Sequence, residues 1–297
     1  MNFKLYTTVL LFSLSLLTVA QETESKDLTT TKPSKKGKFF VSWGGNREHF
    51  SKSDIHFKGD NYDFTLYDVK AHDKPKGWHI DYINPGRVTI PQTNFRMGYY
   101  LKNNWIITLG LDHMKYVVTQ PQLVNIDGTV NIQDGEGNTD FNGTYNNSSL
   151  LLDGALNNEG DYEFFEFEHT DGLNYIFTEI ARVDEVGQYF KLNANKIQVN
   201  ILEGIGAGGL YPRTNSTIFG KPRNDEFHWA GYGFSAKVGL NVILFKHFQI
   251  QTDVKGGYIN MPWIKTTADG DSAEQHFWFF QHNITFGYVF ELFKNKK

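Results

Sequence analysis

The clearest pattern of hydrophobic and polar positions lies near the C-terminus, over residues 275–293. Alternate positions are apolar or aromatic for almost the whole stretch, while the positions between them are small or polar. Such a period of two indicates a β-strand whose faces meet different surroundings. The stretch is long for a strand of a soluble domain, and its apolar face has no polar break. The pattern therefore favours a strand that faces lipid on one side. The outward set is Trp278, Phe280, His282, Ile284, Phe286, Tyr288, Phe290 and Leu292.

Seven further stretches show similar alternation and predict seven more strands. The predicted strands cover residues 38–50, 92–102, 105–112, 173–186, 197–210, 232–244 and 248–258. The stretch 173–186 is less regular, because Glu179 and Arg182 cannot both avoid the apolar face in either register. We therefore expect a β-bulge there. Glu203 interrupts the apolar face of the next stretch in the same way.

The connections between these stretches indicate how the strands are arranged. Those at 102–104 and 245–247 are tight turns, whereas residues 51–89, 120–170 and 211–227 form long polar connections. Outer-membrane barrels keep short turns in the periplasm and long loops outside the cell. Eight strands place every connection on the matching side. The sequence thus predicts an all-β fold, a transmembrane antiparallel up-and-down β-barrel over residues 38–293.

One alternative raises the strand number to ten. Residues 62–69 alternate well enough to form a strand, and residues 54–57 could pair with them. Such a hairpin would either join the barrel as two strands or stand above the membrane inside the first long loop. A single added strand is excluded, because it would move both tight turns to the outer side.

Charged residues on the inward faces define a candidate site in the lumen. An eight-stranded barrel is filled by its own side chains, and buried charges need partners. Both signs occur among the inward positions, so we expect a network of ion pairs and hydrogen bonds and no general porin channel. The predicted network consists of Glu48, Arg96, Asp112, Lys237, Asp253, Lys255 and Glu291.

Composition agrees with a membrane barrel and narrows the chemistry. Aromatic residues make up 15% of the chain, yet the mean hydropathy is −0.43, as expected when half of each strand avoids lipid. The net charge of −4 gives no reason to expect nucleic-acid binding. Cysteine is absent, which excludes disulfides and thiolate metal ligands. Residues 134–140 space four oxygen ligands like a calcium loop but lack its later Gly and Glu, so we expect neither metal nor cofactor.

The N-terminal residues have the pattern of an export signal. Lys4 precedes an apolar run over residues 5–17, and residues 18–20 form a small-residue cleavage site. We expect cleavage after Ala20. The polar residues 21–37 that follow are expected to form a flexible periplasmic tail.

The C-terminal strand also carries a family resemblance. Thr285, Gly287, Phe290 and Leu292 occupy the places of the C-terminal signal of bacterial outer-membrane barrels, although four residues follow Phe293. The chain resembles small barrels of the OmpA/OmpX type, and among them uncharacterised barrels of the Bacteroidota. The resemblance implies residence in the outer membrane of a Gram-negative cell envelope, contact with outer-membrane lipid, and recognition of the C-terminal strand by the barrel-assembly machinery. The residues assigned to lipid contact and assembly are Phe286, Tyr288, Phe290 and Leu292.

Two classes of function follow from this interpretation. The first is a structural or surface-interaction role in envelope integrity, adhesion or a larger complex, with a protein partner bound through the loops 51–89 and 120–170. The second is a barrel enzyme that modifies lipid A by hydrolysis or acyl transfer. Its candidate bases are His169 with Asp171, His228, and His276, but no serine is placed beside them. We therefore expect no catalytic residues and keep the enzyme as the alternative.

Overall fold

The computed structural model describes residues 33–77, 79–83, 91–156, 160 and 162–291. The predicted export signal, residues 21–32 of the predicted tail, and Leu292 lie outside the described residues. The strands are β1 (Phe39–Phe50), β2 (Ser53–Gly59), β3 (Tyr62–Val69), β4 (Ala71–His72), β5 (Thr93–Lys102), β6 (Trp105–Val118), β7 (Gln122–Val130), β8 (Gly143–Leu152), β9 (Phe165–Glu185), β10 (Ile197–Leu210), β11 (Asn215–Ile218), β12 (Gly231–Leu244), β13 (Phe248–Lys265) and β14 (Ser272–Phe290). Short 3₁₀ turns occupy Ile80–Ile83, Thr139–Phe141 and Gly187–Phe190. No helix in these ranges is long and apolar enough to cross a membrane.

Eight of the strands close into an antiparallel barrel. Their order around the ring is β1-β5-β6-β9-β10-β12-β13-β14, and β14 pairs back onto β1. That closing pair runs without interruption from Phe39 opposite Phe290 to Phe50 opposite Phe279. The predicted count of eight and the closure of the last strand on the first are both confirmed. The connections at one end, which we call the turn end, include residues 103–104 and 245–247, where tight turns were predicted at 102–104 and 245–247; the opposite end is the loop end.

The long connections at the loop end are folded rather than irregular. The hairpin of β2 and β3 pairs with the loop-end stretch of β14, and β7 and β8 extend the same sheet. The hairpin therefore stands outside the ring, as one of the two alternatives allowed. Residues 120–170, predicted as a long polar connection, instead contain β7, β8 and the first residues of β9. Val124, Ile126 and Val130 alternate with polar residues and are buried, so this region has the pattern of half-exposed strands.

The two charged residues that disturbed the predicted strand pattern have a simple explanation. Glu179 points into the lumen, whereas Arg182 lies on the outer wall near the turn end. Arg182 is the register partner of Glu203, the misfit of the neighbouring strand, and its Nε donates to Asp184 at 2.7 Å. Pairing between β9 and β10 is unbroken through this region, so the expected bulge is wrong there. The one register shift between β9 and β6 lies nearer the loop end, around residues 170–172.

Most buried apolar side chains form two clusters at opposite ends of the barrel. The larger, the loop-end core, joins inward residues of the barrel strands to β2, β3 and β7; examples are Phe57, Phe64, Tyr116, Phe167 and Phe277. The smaller, the turn-end cluster, lies inside the ring and receives residues from every barrel strand except β13. Its members are Phe40, Tyr100, Ile106, Ala181, Val183, Leu202, Ile243 and Val289. The polar part of the lumen lies between these two clusters.

Candidate functional site

The best-defined cluster of charges lies in the lumen around Asp112. Lys255 Nζ donates to one carboxylate oxygen of Asp112 at 2.7 Å, and Arg96 donates to the other. Both cations also lie over the ring of Phe177, with Lys255 Nζ 3.8 Å and Arg96 Cζ 4.9 Å from the ring centroid. All three charged side chains are buried. A carboxylate shared by two cations and backed by an aromatic face forms a rigid crosslink between β5, β6 and β13.

A second group of charges continues across the lumen. Lys237 Nζ lies 2.6 Å from Glu179 Oε1, and both groups are buried. Asp253 accepts hydrogen bonds of 2.8 Å from Gln251 and from Asn283. Glu179 was absent from the predicted network because its position was treated as an irregularity of β9. Three buried cations, Arg96, Lys237 and Lys255, thus share this part of the lumen with three buried carboxylates, Asp112, Glu179 and Asp253.

The other two predicted network residues lie at the ends of the barrel. Glu48 is buried near the loop end, where it accepts hydrogen bonds from Gln281 at 2.8 Å and from Gln92. Glu291 does not join the cluster. Its side chain is 57% exposed beyond the end of β14, and Lys38 lies 3.6 Å away. Its inward assignment relied on the alternation of side chains along β14, and that strand ends one residue earlier, at Phe290.

The described part of the predicted tail, residues 33–37, is docked at the turn end. Asn103 in the tight turn accepts hydrogen bonds from the side chain of Ser34 and from the backbone N–H groups of Lys35 and Lys36. Lys35 is itself buried, and its Nζ donates to Asn200 at 2.7 Å. These residues are therefore docked against the barrel, with one cation directed into its turn-end opening.

The outer wall carries the opposite chemistry. Exposed apolar side chains cover it on strand after strand, and they include Leu109, Ile205, Phe234, Leu240 and Ile284. Of the predicted lipid-facing residues, Phe286 and Tyr288 are exposed on this wall, and Phe290 is partly covered by Phe39, with ring centroids 6.3 Å apart. An apolar exterior around a charged, hydrogen-bonded interior is the inverse of a soluble barrel.

The architecture is that of a small, closed antiparallel β-barrel with an apolar exterior. Comparisons with solved structures give similar proteins at low identity. The outer membrane protein OprG of Pseudomonas aeruginosa matches 88% of this chain and 99% of its own, at 12% identity and a TM-score of 0.37. AlkL matches 93% of this chain and 100% of its own, at 11% identity and a TM-score of 0.39. Ail of Yersinia pestis matches 86% and 99%, at 12% identity and a TM-score of 0.30. No protein-family model and no curated protein matches the sequence.

The candidate catalytic histidines occupy structural positions. His169 is fully buried in the loop-end core, where its Nδ1 lies 2.9 Å from Thr214 Oγ1 and its Nε2 lies 3.0 Å from the side-chain amide of Gln275. Burial lowers its pKa to about 3, so the ring is neutral. Asp171, proposed to assist it, lies 3.6 Å from Arg213 instead.

His228 is also held as a neutral ring. Its Nε2 accepts from the backbone N–H of Lys265 at 2.9 Å, and its Nδ1 lies 3.1 Å from the carbonyl oxygen of Glu226. Burial lowers its pKa. His276 lies at the edge of a surface cleft with Trp278. Within the part of the chain that the structure describes, these three histidines are not joined to a serine nucleophile, and no group of His, Asp or Glu side chains is arranged to hold a metal ion.

A buried ion pair ties the loop-end connections together. Lys221 Nζ lies 2.9 Å from Asp271, and the hydroxyl of Tyr62 donates to the same carboxylate at 2.8 Å. Lys221 also lies over the Tyr62 ring. Burial, followed by the neighbouring Asp271 charge, raises the pKa of Tyr62. Three separate connections are thus joined at one point.

Proposed function

We propose that this protein is a bacterial outer-membrane barrel with a structural and surface-interaction role, and that it does not act as a general porin. The turn end lies in the periplasm and the loop end outside the cell. The apolar wall contacts lipid, and the sheet of β2, β3, β7 and β8 is displayed on the cell surface. Support comes from the closed ring, the apolar exterior and the distribution of short and long connections.

The observation that carries the proposal is the filled lumen. The turn-end cluster, the charged layer around Asp112 and the loop-end core occupy the interior in series. Ion conduction would require water through two apolar clusters and past paired charges. A structural role needs no such path, whereas a porin depends on one.

Planar bilayer recordings test this directly. We expect the purified, refolded protein to show no stable porin-like steps. A variant with Phe40→Ala and Val289→Ala should also stay silent, because the loop-end core still blocks the path. Met97→Ala on the outer wall serves as the matched control for the substitutions. Large, regular conductance steps from the wild-type protein would refute the closed-lumen role.

The surface role rests on the loop-end sheet. β8 is the last strand of that sheet and pairs only with β7 among the described strands. Its residues 143–152 carry no charge, and Leu151 and Leu123 are exposed on the adjoining face. Native sheet edges usually carry charges that prevent pairing, so an uncharged edge suits contact with a partner.

Cells displaying wild-type protein should bind their surface partner or one another more strongly than cells displaying Ser149→Lys and Leu151→Lys. Lys58→Ala changes a residue of β2, away from the β8 edge, and serves as the control. If the edge variant binds as strongly as this control, the surface role is refuted.

A further inference from the structure

A cleft lies where one edge of β14 stops pairing with β1 and begins to pair with β2. β1 pairs with β14 as far as Phe50 opposite Phe279, and β2 takes over with Ile55 opposite Gln275. The intervening chain leaves the ladder, although Ser51 N–H still donates to the carbonyl oxygen of Trp278 at 2.8 Å. The space between the departing chain and β14 is about 240 Å³ and is open to the outside. Its lining residues are Ser51, Lys52, Ser53, Asp54, Asp68, His276, Phe277 and Trp278.

The floor of this cleft separates it from the lumen. Phe277 and Ser53 are buried, and the Phe277 ring stacks on Tyr116 with centroids 4.9 Å apart. Ser53 Oγ lies 3.0 Å from the hydroxyl of Tyr116. The cleft is therefore a lateral site on the wall and no entrance to a channel.

Its walls carry charges of both signs. Lys52 Nζ lies 3.5 Å from Asp68, and both side chains are mostly exposed, so this ion pair is weak and can exchange partners. Asp54 accepts a hydrogen bond from the backbone N–H of Asp68 at 2.9 Å, which holds the Asp54 carboxylate beside residue 68. His276 lies on the opposite side. A ligand with one anionic and one cationic group would match this arrangement better than a simple anion.

The lower edge of the cleft is continuous with the lipid-facing wall. Trp278 is 64% exposed, and its ring centroid lies 5.2 Å from that of Tyr258 on the neighbouring strand. Phe280, Ile284 and Phe286 continue the apolar surface along β14 toward the turn end. Trp and Tyr residues on the outer face of a barrel are typical of the boundary between hydrocarbon and headgroups. A ligand in the cleft would thus have its polar end beside Lys52 and any acyl chains along β14.

We propose that this cleft binds the headgroup of a membrane lipid that carries both a phosphate and a primary amine. The phosphate lies beside Lys52 and His276, the ammonium group beside Asp54 and Asp68, and Trp278 covers the first part of the acyl chains. The inference rests on the proposed placement of the barrel in a membrane. It assigns a specific lipid class to one point on the wall.

Native mass spectrometry of the full chain in detergent tests the assignment. The probes are phosphatidylethanolamine, phosphatidylcholine, whose amine has no N–H donors, and phosphatidylglycerol, which has no amine. We expect one phosphatidylethanolamine molecule to be retained, with affinity about tenfold above the other two lipids. Soluble glycerophosphoethanolamine should compete poorly, because it lacks the chains that contact β14. Equal retention of the three lipids, or equal binding of the soluble headgroup, overturns the proposal.

Variants locate the site. Lys52→Ala and Asp68→Asn should each lower the preference for phosphatidylethanolamine about tenfold. Lys58→Ala, on the same strand as the cleft residues but outside the lining, should leave it unchanged. If Lys52→Ala and Lys58→Ala bind alike, the cleft is not the site. Heat-modifiable gel migration in lipid is measured in parallel. A protein that never forms a compact, inserted barrel refutes the proposed function, whereas an inserted barrel without lipid preference refutes only the cleft.

Discussion

At the scale of single residues, the interior of this protein depends on carboxylates that each serve more than one donor. Asp112 is the clearest case, because its two oxygens are divided between Arg96 and Lys255. Sequence alternation identified all three as inward residues. It could not show that all three meet, since Lys255 and Asp112 are 143 residues apart and their contact depends on the register of the intervening strands.

Removing the shared carboxylate should therefore be costly. Asp112→Asn leaves two buried cations without a counter-charge, and we expect a loss of about 3–5 kcal/mol in the free energy of unfolding. Asp184→Asn is the matched control, because its partner Arg182 is exposed on the outer wall. That change should cost at most about 1 kcal/mol. Urea unfolding in lipid vesicles gives both values, and similar losses at the two positions would contradict the structural assignment.

His169 predicts a pH dependence confined to the loop end. Its pKa is about 3 in the folded protein against about 6.5 in an unfolded chain, so the unfolded state binds the extra proton. The contribution to stability is complete above pH 6.5 and declines as the pH falls toward 3. Between pH 7.5 and pH 5 the loss is about 2 kcal/mol.

Amide hydrogen exchange of β9 and β11 at these two pH values measures that decline. His169→Gln keeps a hydrogen-bonding group that does not titrate, and we expect it to remove most of the pH dependence. An unchanged pH profile in this variant would assign the effect to another group.

At the scale of elements, strands that alternate cleanly were predictable and those with half-exposed faces were not. The stretches 232–244 and 275–293 correctly predicted β12 and β14 over the described residues, because the outer face of each is an unbroken run of exposed apolar residues. β7 and β8 were missed because polar residues and Gly dominate their exposed faces, and because the burial of β7 depends on its pairing with β3. The lumen site was accessible to sequence reasoning, whereas the cleft was not, because it arises from a change of partners along β14.

The closing pair of strands offers a test of register. Trp43 and Phe286 are direct partners, so cysteines at both positions should form a disulfide on mild oxidation. The natural chain contains no cysteine, which keeps the assay free of background. The control pairs Trp43→Cys with Phe280→Cys, six residues away along β14, and should remain reduced. Mobility on non-reducing gels reports the crosslink. Crosslinking in the control pair, but not in the register pair, would contradict the closure described here.

At the scale of the whole molecule, the two ends of the barrel differ in construction. The turn end has tight connections and a docked N-terminal segment, whereas at the loop end the sheet extends beyond the ring around an apolar core that it shares with the barrel strands. Outer-membrane barrels keep short turns in the periplasm and long connections outside the cell. The difference between the two ends therefore predicts an insertion direction with the loop end outside.

Epitope insertion tests that direction. An epitope placed before Gly135, where the surrounding space is open, should be labelled by antibody on intact cells. The same epitope beside Lys246 in the tight turn should be labelled only after the cells are permeabilised. The opposite result would invert the assigned orientation.

The pairing of β2 with β14 has a consequence for how the molecule is made. Among the described strands, the loop-end sheet pairs with the ring only through the final strand, so its β2 edge has no partner until the last part of the chain arrives. Contacts between such distant segments form slowly, and an unpaired sheet edge is exposed in the meantime. Export of this chain should therefore depend heavily on chaperones that shield β2, β3 and β7, and a chain stalled before residue 272 would be degraded or aggregate with its surface sheet incomplete.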